Sequence, residues 1–368
     1  MKKNILSCFL LCLGTTMYAQ TYQFQTVKDI TSTPVISQDN TGTCWSFSTT
    51  SFLEAEIIRT TGKQIDLSEM YNVRNTYPKK AWNYIMRQGK AQFGEGALAH
   101  DVINSARDFG IVPENVYEGN KLEGKYNHAE MVAVLESMLK TYVSNPGKKL
   151  SSQWKDAVNA VLDVYMGKNP TDFTYEGKKY TPKTFLESTK LDLHNYVTLS
   201  SFTNFEYNKP FLLDIPDNFS NGIFYNVTLD EYIQNIDNAI DNGYTIALDC
   251  DVSEPTFSGR FGLAVIPEHD TDNTLILTEI KPEKNITPEL RQQEFENLST
   301  QDDHLMHIVG KVKDQNGKIY YKVKNSWGTK SGKEGYVYMS VAYIRLKSIS
   351  VLMCKDALVK KTKTNLGL

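Results

Sequence analysis

The order of helical and strand patterns along the chain is the feature that most constrains its fold. Apolar residues recur at helical spacing across residues 44–62, and Gly62 ends that pattern. The last third alternates apolar and polar residues, as in "YTIALDCDV" at 244–252 and "KIYYKVKNSW" at 318–327. Helices first and strands last predict an α+β fold in two halves.

Two further helices are expected between residues 63 and 110. Asp66 and Glu69 have capping-box spacing, which predicts a second helix that starts near Leu67. A glycine-rich loop then leads into a third helix that ends at Gly110. After these, residues 117–240 combine amphipathic helical patterns with polar aromatic segments, which predicts a large, mainly helical insertion.

The N-terminus has the composition of a secretory signal peptide. Lys2 and Lys3 precede an apolar run over residues 5–13, and small and polar residues follow. We expect residues 1–19 to be removed and residues 20–368 to form the mature protein. The run is too short to span a bilayer, so we expect no membrane anchor and an exported protein, periplasmic or secreted.

Charge and cysteine content exclude other classes of protein. The net charge is −3, and basic residues cluster only at 360–363, so no nucleic-acid partner is expected. Three cysteines follow the signal peptide, and an odd number argues against a disulfide framework. Cys250 and Cys354 lie in apolar runs and are expected in the core.

Cys44 differs from the other two because it starts a helix. Unpaired N–H groups and the helix dipole favour a thiolate at that position, which predicts a lowered thiol pKa and a nucleophile. The alternative is a small buried apolar residue, and the segment alone does not separate the two.

A nucleophilic cysteine needs a base, and His304 is the candidate. His304 and His307 open a strand on which residues three apart point to opposite faces, so no metal site is expected, and no cofactor is implied. Asn325 ends an apolar strand face and is a partner for His304, although capping a strand end would also explain it. A tight turn at Asn316-Gly317 would keep them apart, so we predict a wider loop over 313–317, a bulge at Gly317 and pairing centred between residues 314 and 315.

Several motifs in order resemble the papain-like cysteine peptidases. They are Gln38 six residues before Cys44, "CWSF", "DLSEMY", "RDFGIVPENVY", His304 followed by Gly310, and "VKNSWGTKSGKEGYVYM". "YTPKTFLESTKLDLHNYVTL" and "NGYTIALDCDVSE" are similar to the bleomycin hydrolase and aminopeptidase C branch. Thr41 departs from the family, since secreted members usually carry a cysteine there.

The resemblance implies a papain-like two-part fold, with a helical half and an antiparallel sheet or barrel half. It also implies catalytic roles: Cys44 as nucleophile, His304 as base, Asn325 orienting the imidazole, and Gln38 donating to the oxyanion with the Cys44 N–H. Residue 304 lies 260 positions after residue 44, and the excess over the family's usual spacing matches the 117–240 insertion.

The resemblance also implies how substrate is held. Gly94 and Gly96 would let the substrate backbone approach closely, and Trp327 would shield the histidine–asparagine contact from water. The chain leaves no room for a propeptide, so a C-terminal arm, residues 359–368, would limit the cleft. Leu368 would then place its terminal carboxylate against the α-ammonium of a substrate.

The leading interpretation is therefore an exported aminopeptidase that acts on peptides. An endopeptidase with an open cleft and a non-catalytic peptide-binding or assembly protein are the alternatives. The branch resemblance further implies a homohexamer.

Overall fold

The computed structural model describes residues 21–145, 147 and 149–368, so the predicted signal peptide, residues 1–19, lies outside the described residues. The helices are α1 (Cys44–Thr61), α2 (Glu69–Met86), α3 (Ala99–Phe109), α4 (Ala129–Val143), α5 (Gln153–Met166), α6 (Pro182–Ser188), α7 (Leu229–Asp241), α8 (Pro288–Glu296), α9 (Val341–Lys347) and α10 (Lys360–Leu366). None of these described helices is both long and apolar enough to cross a membrane.

Most of the strands belong to one large sheet. The strands are β1 (Gln25–Asp29), β2 (Phe173–Tyr175), β3 (Lys178–Tyr180), β4 (Tyr196–Ser200), β5 (Pro210–Leu212), β6 (Ile223–Asn226), β7 (Ile246–Cys250), β8 (Phe257–Ser258), β9 (Leu263–Ala264), β10 (His304–Lys313), β11 (Ile319–Lys324), β12 (Tyr336–Ser340) and β13 (Ser348–Cys354). The sheet runs β5-β6-β4-β13-β7-β10-β11-β12-β9-β8, β1 pairs with β10, and β2 and β3 form a separate pair. This arrangement confirms the α+β prediction.

The segment 117–240 contains strands as well as the predicted helices. α4, α5, α6 and most of α7 lie in it, and so do β4, β5 and β6, which join the large sheet. The short strands were not predicted because "YVTLS" and "IFYN" are brief apolar runs inside polar aromatic sequence. The segment is mainly helical, as predicted, and its three strands β4, β5 and β6 also extend the sheet.

The start of α2 differs from the predicted one. Ser68 occupies the N-cap position, and its hydroxyl accepts a hydrogen bond from the Tyr71 N–H at 3.0 Å. A serine two residues after Asp66 makes the better cap, because its short side chain reaches the third N–H of the helix. The predicted Asp66–Glu69 capping box is therefore wrong, although the helix begins within two residues of Leu67.

Helix α3 ends at Gly110, as predicted. Gly110 has φ +86°, and a Cβ at this position would meet the backbone of Pro182. Both the left-handed backbone and the close approach require glycine. This contact holds α3 against the start of α6.

The sheet separates two apolar cores, each named here after its central helix. The α1 core contains Cys44, Ala247 and Leu305, and the α7 core contains Ile236 and Met306. Side chains alternate across a strand, so consecutive residues of β7 and β10 enter different cores. The face of β7 and β10 that meets α1 is the face next to Cys44.

The C-terminal residues pack in the α7 core. The Asn235 amide of α7 donates to the Thr362 hydroxyl at 2.9 Å and accepts from the Val359 N–H at 2.9 Å. Leu366 and Leu368 pack against the same core. The predicted position of Leu368 in the cleft is therefore wrong, because the tail folds as a helix on the sheet face opposite Cys44.

Candidate active site

Cys44 is the first residue of α1 and is almost enclosed. Its residue is 7 % exposed and belongs to the α1 core. It packs there with Leu305 of β10, and the Ser48 hydroxyl of α1 donates to the Met306 carbonyl of β10 at 2.6 Å. Because His304 lies two residues before Met306 in the chain, these contacts bring the start of β10 to the start of α1.

His304 and Asn325 are hydrogen-bonded, with His304 Nε2 and Asn325 Oδ1 2.8 Å apart. Asn325 Oδ1 also accepts from the Ser326 N–H at 2.7 Å, which fixes the amide orientation. The Trp327 ring packs on the imidazole with its centroid 4.9 Å away, and Trp327 is 39 % exposed. The indole therefore covers one face of the imidazole and is itself partly exposed to solvent.

The hairpin that carries this pair has the predicted wide loop. Strand pairing ends at Lys313 opposite Ile319, so the loop covers residues 314–318. The Asp314 carboxylate accepts from two loop N–H groups, and Gly317 has φ +82°. The loop prediction is confirmed in its width, and its bounds shift by one residue.

The predicted register about residues 314 and 315 is wrong. Ile308 pairs with Val323, because a bulge in β10 between Ile308 and Gly310 shifts the pairing. The predicted bulge at Gly317 is confirmed, since the Gly317 N–H donates to the Asp314 carbonyl at 3.0 Å and its φ is positive. β11 then ends at Lys324, and the Asn325 N–H donates to the Gly335 carbonyl. Asn325 therefore meets the histidine from outside the strand ladder, which the pairing argument did not consider.

Gln38 lies between the loop before α1 and the segment after β11. Its Nε2 donates to the Thr41 carbonyl at 2.6 Å, and its Oε1 accepts from the Ser326 hydroxyl at 2.6 Å. The Gln38 Nε2 carries a second hydrogen, which is available to donate to another group. Gln38 is thus held by Thr41, three residues before Cys44, and by Ser326, the residue after Asn325.

The loop with Gly94 and Gly96 also contacts the start of α1. The Gly42 N–H donates to the Glu95 carboxylate at 2.7 Å, and the Trp45 indole N–H donates to the Glu95 carbonyl at 2.9 Å. A Cβ on Gly96 would overlap the Asp217 carboxylate, whereas one on Gly94 would have ordinary contacts. The fold therefore requires glycine at position 96, because the Asp217 carboxylate occupies the space where a side chain would lie.

A buried lysine links the two halves behind the site. Lys324 Nζ donates to the Ser51 hydroxyl of α1 at 2.8 Å and to the Thr33 carbonyl at 2.7 Å. It lines a cavity of about 320 Å³ together with Glu54 and His307. Because Lys324 precedes Asn325, this clamp helps to fix β11 relative to the cysteine helix.

Two known protein families match this chain over different residues. The Peptidase C1-like family matches residues 94–367, and the papain family of cysteine proteases matches residues 19–95. The chain belongs to the Peptidase C1-like family. The papain family match contains Cys44, and the Peptidase C1-like match contains His304 and Asn325. The structure joins the two matched regions in one fold.

Relatives of this peptidase include aminopeptidases and bleomycin hydrolases. Aminopeptidase C of Lactococcus lactis subsp. lactis (strain IL1403) is 23% identical over 90% of this chain and 83% of its own length. Bleomycin hydrolase of Rattus norvegicus is 22% identical over 90% of this chain and 82% of its own. The crystal structure of pepW from Lactobacillus rhamnosis has a TM-score of 0.74 at 18% identity, over 93% of this chain and 84% of that one, which confirms the papain-like fold.

Burial dominates the electrostatics of this peptidase site. Burial raises the pKa of the Cys44 thiol to about 12, and the Leu305 N–H only partly opposes it. Burial lowers the pKa of His304 to about 4, against the hydrogen bond that its ring donates to Asn325 and the charge of Asp303. The predicted lowering of the thiol pKa by the helix start is wrong, because desolvation outweighs the helix dipole.

Sequence reasoning overlooked three acidic residues beside the nucleophile. Burial is the largest cause of the raised pKa of the Cys44 thiol, and the negative charges of Asp302, Asp217 and Asp249 raise it further. The signal was present in "QDDHL" before His304 and in "LDCD" on β7, where a carboxylate interrupts an apolar strand.

Proposed function

We propose that this chain is a cysteine aminopeptidase that hydrolyses the first peptide bond of a substrate with Cys44, His304 and Asn325. The hydrogen bond between His304 Nε2 and Asn325 Oδ1 carries the proposal. With that nitrogen donating to Asn325, the other ring nitrogen, Nδ1, holds a lone pair and can act as a base. The packing of α1 on the start of β10, with the Ser48 hydroxyl donating to the Met306 carbonyl, supports a thiol at the same end of β10.

The reaction starts from a neutral thiol and a neutral imidazole, because burial disfavours both charges. The Cys44 sulfur attacks the scissile carbonyl while its proton moves to His304 Nδ1. The imidazolium then protonates the leaving amine as the C–N bond breaks, which leaves a thioester on Cys44. Water attacks the thioester, gives its proton to Nδ1, and the thiol regains a proton as the C–S bond breaks.

Negative charge develops on the substrate oxygen during each attack. The Cys44 backbone N–H has no partner inside its helix, since the first N–H groups of an α-helix are unpaired within it. The second amide hydrogen of Gln38 supplies the other donor in this proposal, because the first is held by the Thr41 carbonyl. Fixed donors at that oxygen stabilise the transition state more than the ground state.

An endopeptidase is the second candidate, and the position of the tail favours it. Leu366 and Leu368 pack in the α7 core, so the C-terminus does not block the cleft of this chain. A papain-like cleft without a block accepts a chain on both sides of the scissile bond.

Rates on alanyl-7-amido-4-methylcoumarin and on its N-acetyl derivative test the proposal. The wild-type protein should cleave the free amine faster, and Cys44→Ala should cleave neither. Iodoacetamide should label Cys44 before Cys250 and Cys354, which lie deeper in the α7 core. Hydrolysis that survives Cys44→Ala contradicts the mechanism, and faster cleavage of acetylated peptides favours the endopeptidase.

Export and assembly are part of the same proposal. Cleavage before Gln20 is tested by N-terminal sequencing of the protein recovered from fractionated cells. A homohexamer is tested by sedimentation of the purified protein. A retained residue 1, or a single-subunit mass, contradicts the respective prediction.

A further inference from the structure

Three carboxyl groups from distant parts of the chain meet beside the nucleophile. Asp217 lies in the connection between β5 and β6, Asp249 on β7, and Asp302 two residues before His304. The charge of each acts on Cys44. None of them takes part in the reaction steps described above.

Asp249 is the most enclosed of the three and has an unused acceptor. It is 2 % exposed and pairs directly with Leu305, which packs with Cys44 in the α1 core. One oxygen, Oδ2, accepts from the Ser350 hydroxyl at 3.4 Å. The other, Oδ1, has no hydrogen-bond donor among the described residues.

The neighbour of Asp249 is Asp302. The two carboxyls can share a hydrogen bond only when one of them keeps a proton, since two carboxylates offer acceptors alone. A donor with positive charge in this place would satisfy both groups and remove their repulsion.

The surrounding charges leave the three acids with a net negative potential. Lys80 is the cation whose charge acts on Asp217 and Asp302, and its ammonium donates to the Gly96 carbonyl. The nearby Asp101 is occupied by the Leu98 N–H at the start of α3. Asp303 is occupied by Ser253.

We propose that Asp249 and Asp302, with Asp217, bind the α-ammonium of the N-terminal residue of the substrate. The inference rests on the proposed aminopeptidase function and gives its preference for free N-termini a source in this chain. The acids lie beside Cys44, and the α-ammonium is two bonds from the carbonyl that Cys44 attacks. An ammonium there donates to Asp249 Oδ1, the acceptor that the fold leaves unused.

The ionisation of the acids agrees with such a ligand. Burial and then the charge of Asp217 raise the pKa of Asp302 to about 7, and burial followed by Asp302 raises the pKa of Asp249. An arriving ammonium replaces the retained proton, so binding releases a proton to solvent. An N-acetylated substrate carries no positive charge at this position and leaves the two carboxyl groups without a cationic donor.

A lysine side chain one residue before the scissile residue could supply the same ammonium chemistry. The two sources are separated by four fluorogenic substrates: alanyl, N-acetylalanyl, N-acetyl-lysyl-alanyl and N-acetyl-leucyl-alanyl amides. They are compared on the wild-type protein, on Asp249→Asn/Asp302→Asn, and on Asp214→Asn. Asp214 is an exposed acid of the same connection as Asp217 and serves as the matched control.

We expect the double variant to raise KM for the alanyl amide by about 10- to 100-fold, with kcat changed less than about threefold, as for loss of charge-assisted hydrogen bonds. KM for the N-acetylalanyl amide should stay the same in all three proteins. Loss confined to the lysyl substrate would overturn the proposal in favour of a basic side chain. Equal effects on all four substrates would overturn it in favour of a structural role.

Binding to an inactive protein separates this inference from the proposed function. Alaninamide and N-acetylalaninamide are titrated calorimetrically into Cys44→Ala, with and without Asp302→Asn. Alaninamide should bind more tightly, and Asp302→Asn should remove that advantage, even if the wild-type protein hydrolyses nothing. Equal affinities in the Cys44→Ala protein overturn the ammonium site whatever the activity.

Discussion

Removal of the last three residues distinguishes a tail that packs from a tail that gates. Leu366 and Leu368 are partly buried in the α7 core. Full burial of a leucine contributes about 1.5–3 kcal/mol, and we take roughly half for each partly buried side chain. Deletion of residues 366–368 should therefore lower the free energy of unfolding by about 1.5–3 kcal/mol.

The same deletion should leave the substrate preference unchanged. The tail lies on the sheet face opposite Cys44, so no group of the cleft is removed. Urea unfolding followed by intrinsic fluorescence measures the stability, and the rate ratio between alanyl and N-acetylalanyl amides measures the preference. Lys360→Ala, at an exposed position of α10, is the control that should change neither quantity.

The reasoning fails if the truncated protein unfolds at the same urea concentration as the full chain and gains activity on N-acetylated substrates. That result would mean that Leu368 leaves the α7 core and enters the cleft. A truncated protein that loses stability and also gains this activity would contradict the separation of the two faces. Only lower stability at an unchanged rate ratio agrees with the structure.

Three further outcomes are expected. Asn325→Ala should lower kcat by about 10- to 100-fold at similar KM, since the imidazole loses its orienting acceptor, and the fluorogenic assay measures this. Gly110→Ala should cost about 3 kcal/mol or more in urea unfolding, against about 1 kcal/mol for Gly62→Ala, because both have positive φ but only Gly110 meets backbone. In the pH profile, kcat/KM for the alanyl amide should rise through about pH 7, because Asp302 loses its proton there and becomes able to bind an ammonium. The N-acetylalanyl amide should lack this rise. Equal profiles for the two substrates would contradict the ammonium site.

The elements that sequence reasoning placed well have strong local signals. The stripe of apolar residues ended by Gly62 gave α1 its bounds, and Gly110 ended α3 because its backbone admits no side chain. The link between His304 and Asn325 was predicted from an asparagine in an apolar strand, a local inconsistency that needed a partner. Such positions are informative because the residue type contradicts its surroundings.

The errors came from contacts that local patterns do not encode. The register of the hairpin depends on a bulge at residue 309, and regular alternation gives no sign of a bulge in β10. The thiol pKa depends on the burial of Cys44 by β10, which is distant in sequence, whereas the helix dipole is a local term. The position of the tail depends on Asn235 of α7, more than 120 residues before it.

We still expect a carboxylate beside the α-ammonium of the substrate, but it belongs to Asp249 and Asp302 instead of the C-terminus. Two buried carboxyls in contact destabilise a fold unless a proton or a cation joins them. Among the described residues, the Lys80 ammonium donates to the Gly96 carbonyl and makes no hydrogen bond to Asp249 or Asp302, so it does not join the two acids. The pair therefore keeps an unfavourable interaction in the free protein that an ammonium ligand relieves, and this makes ammonium affinity, rather than stability, the property that Asp249→Asn/Asp302→Asn should lose. We therefore expect the double variant to be more stable than the wild type and to bind alaninamide more weakly. Together these results would show that the acid pair costs stability in the free protein and provides affinity for an ammonium.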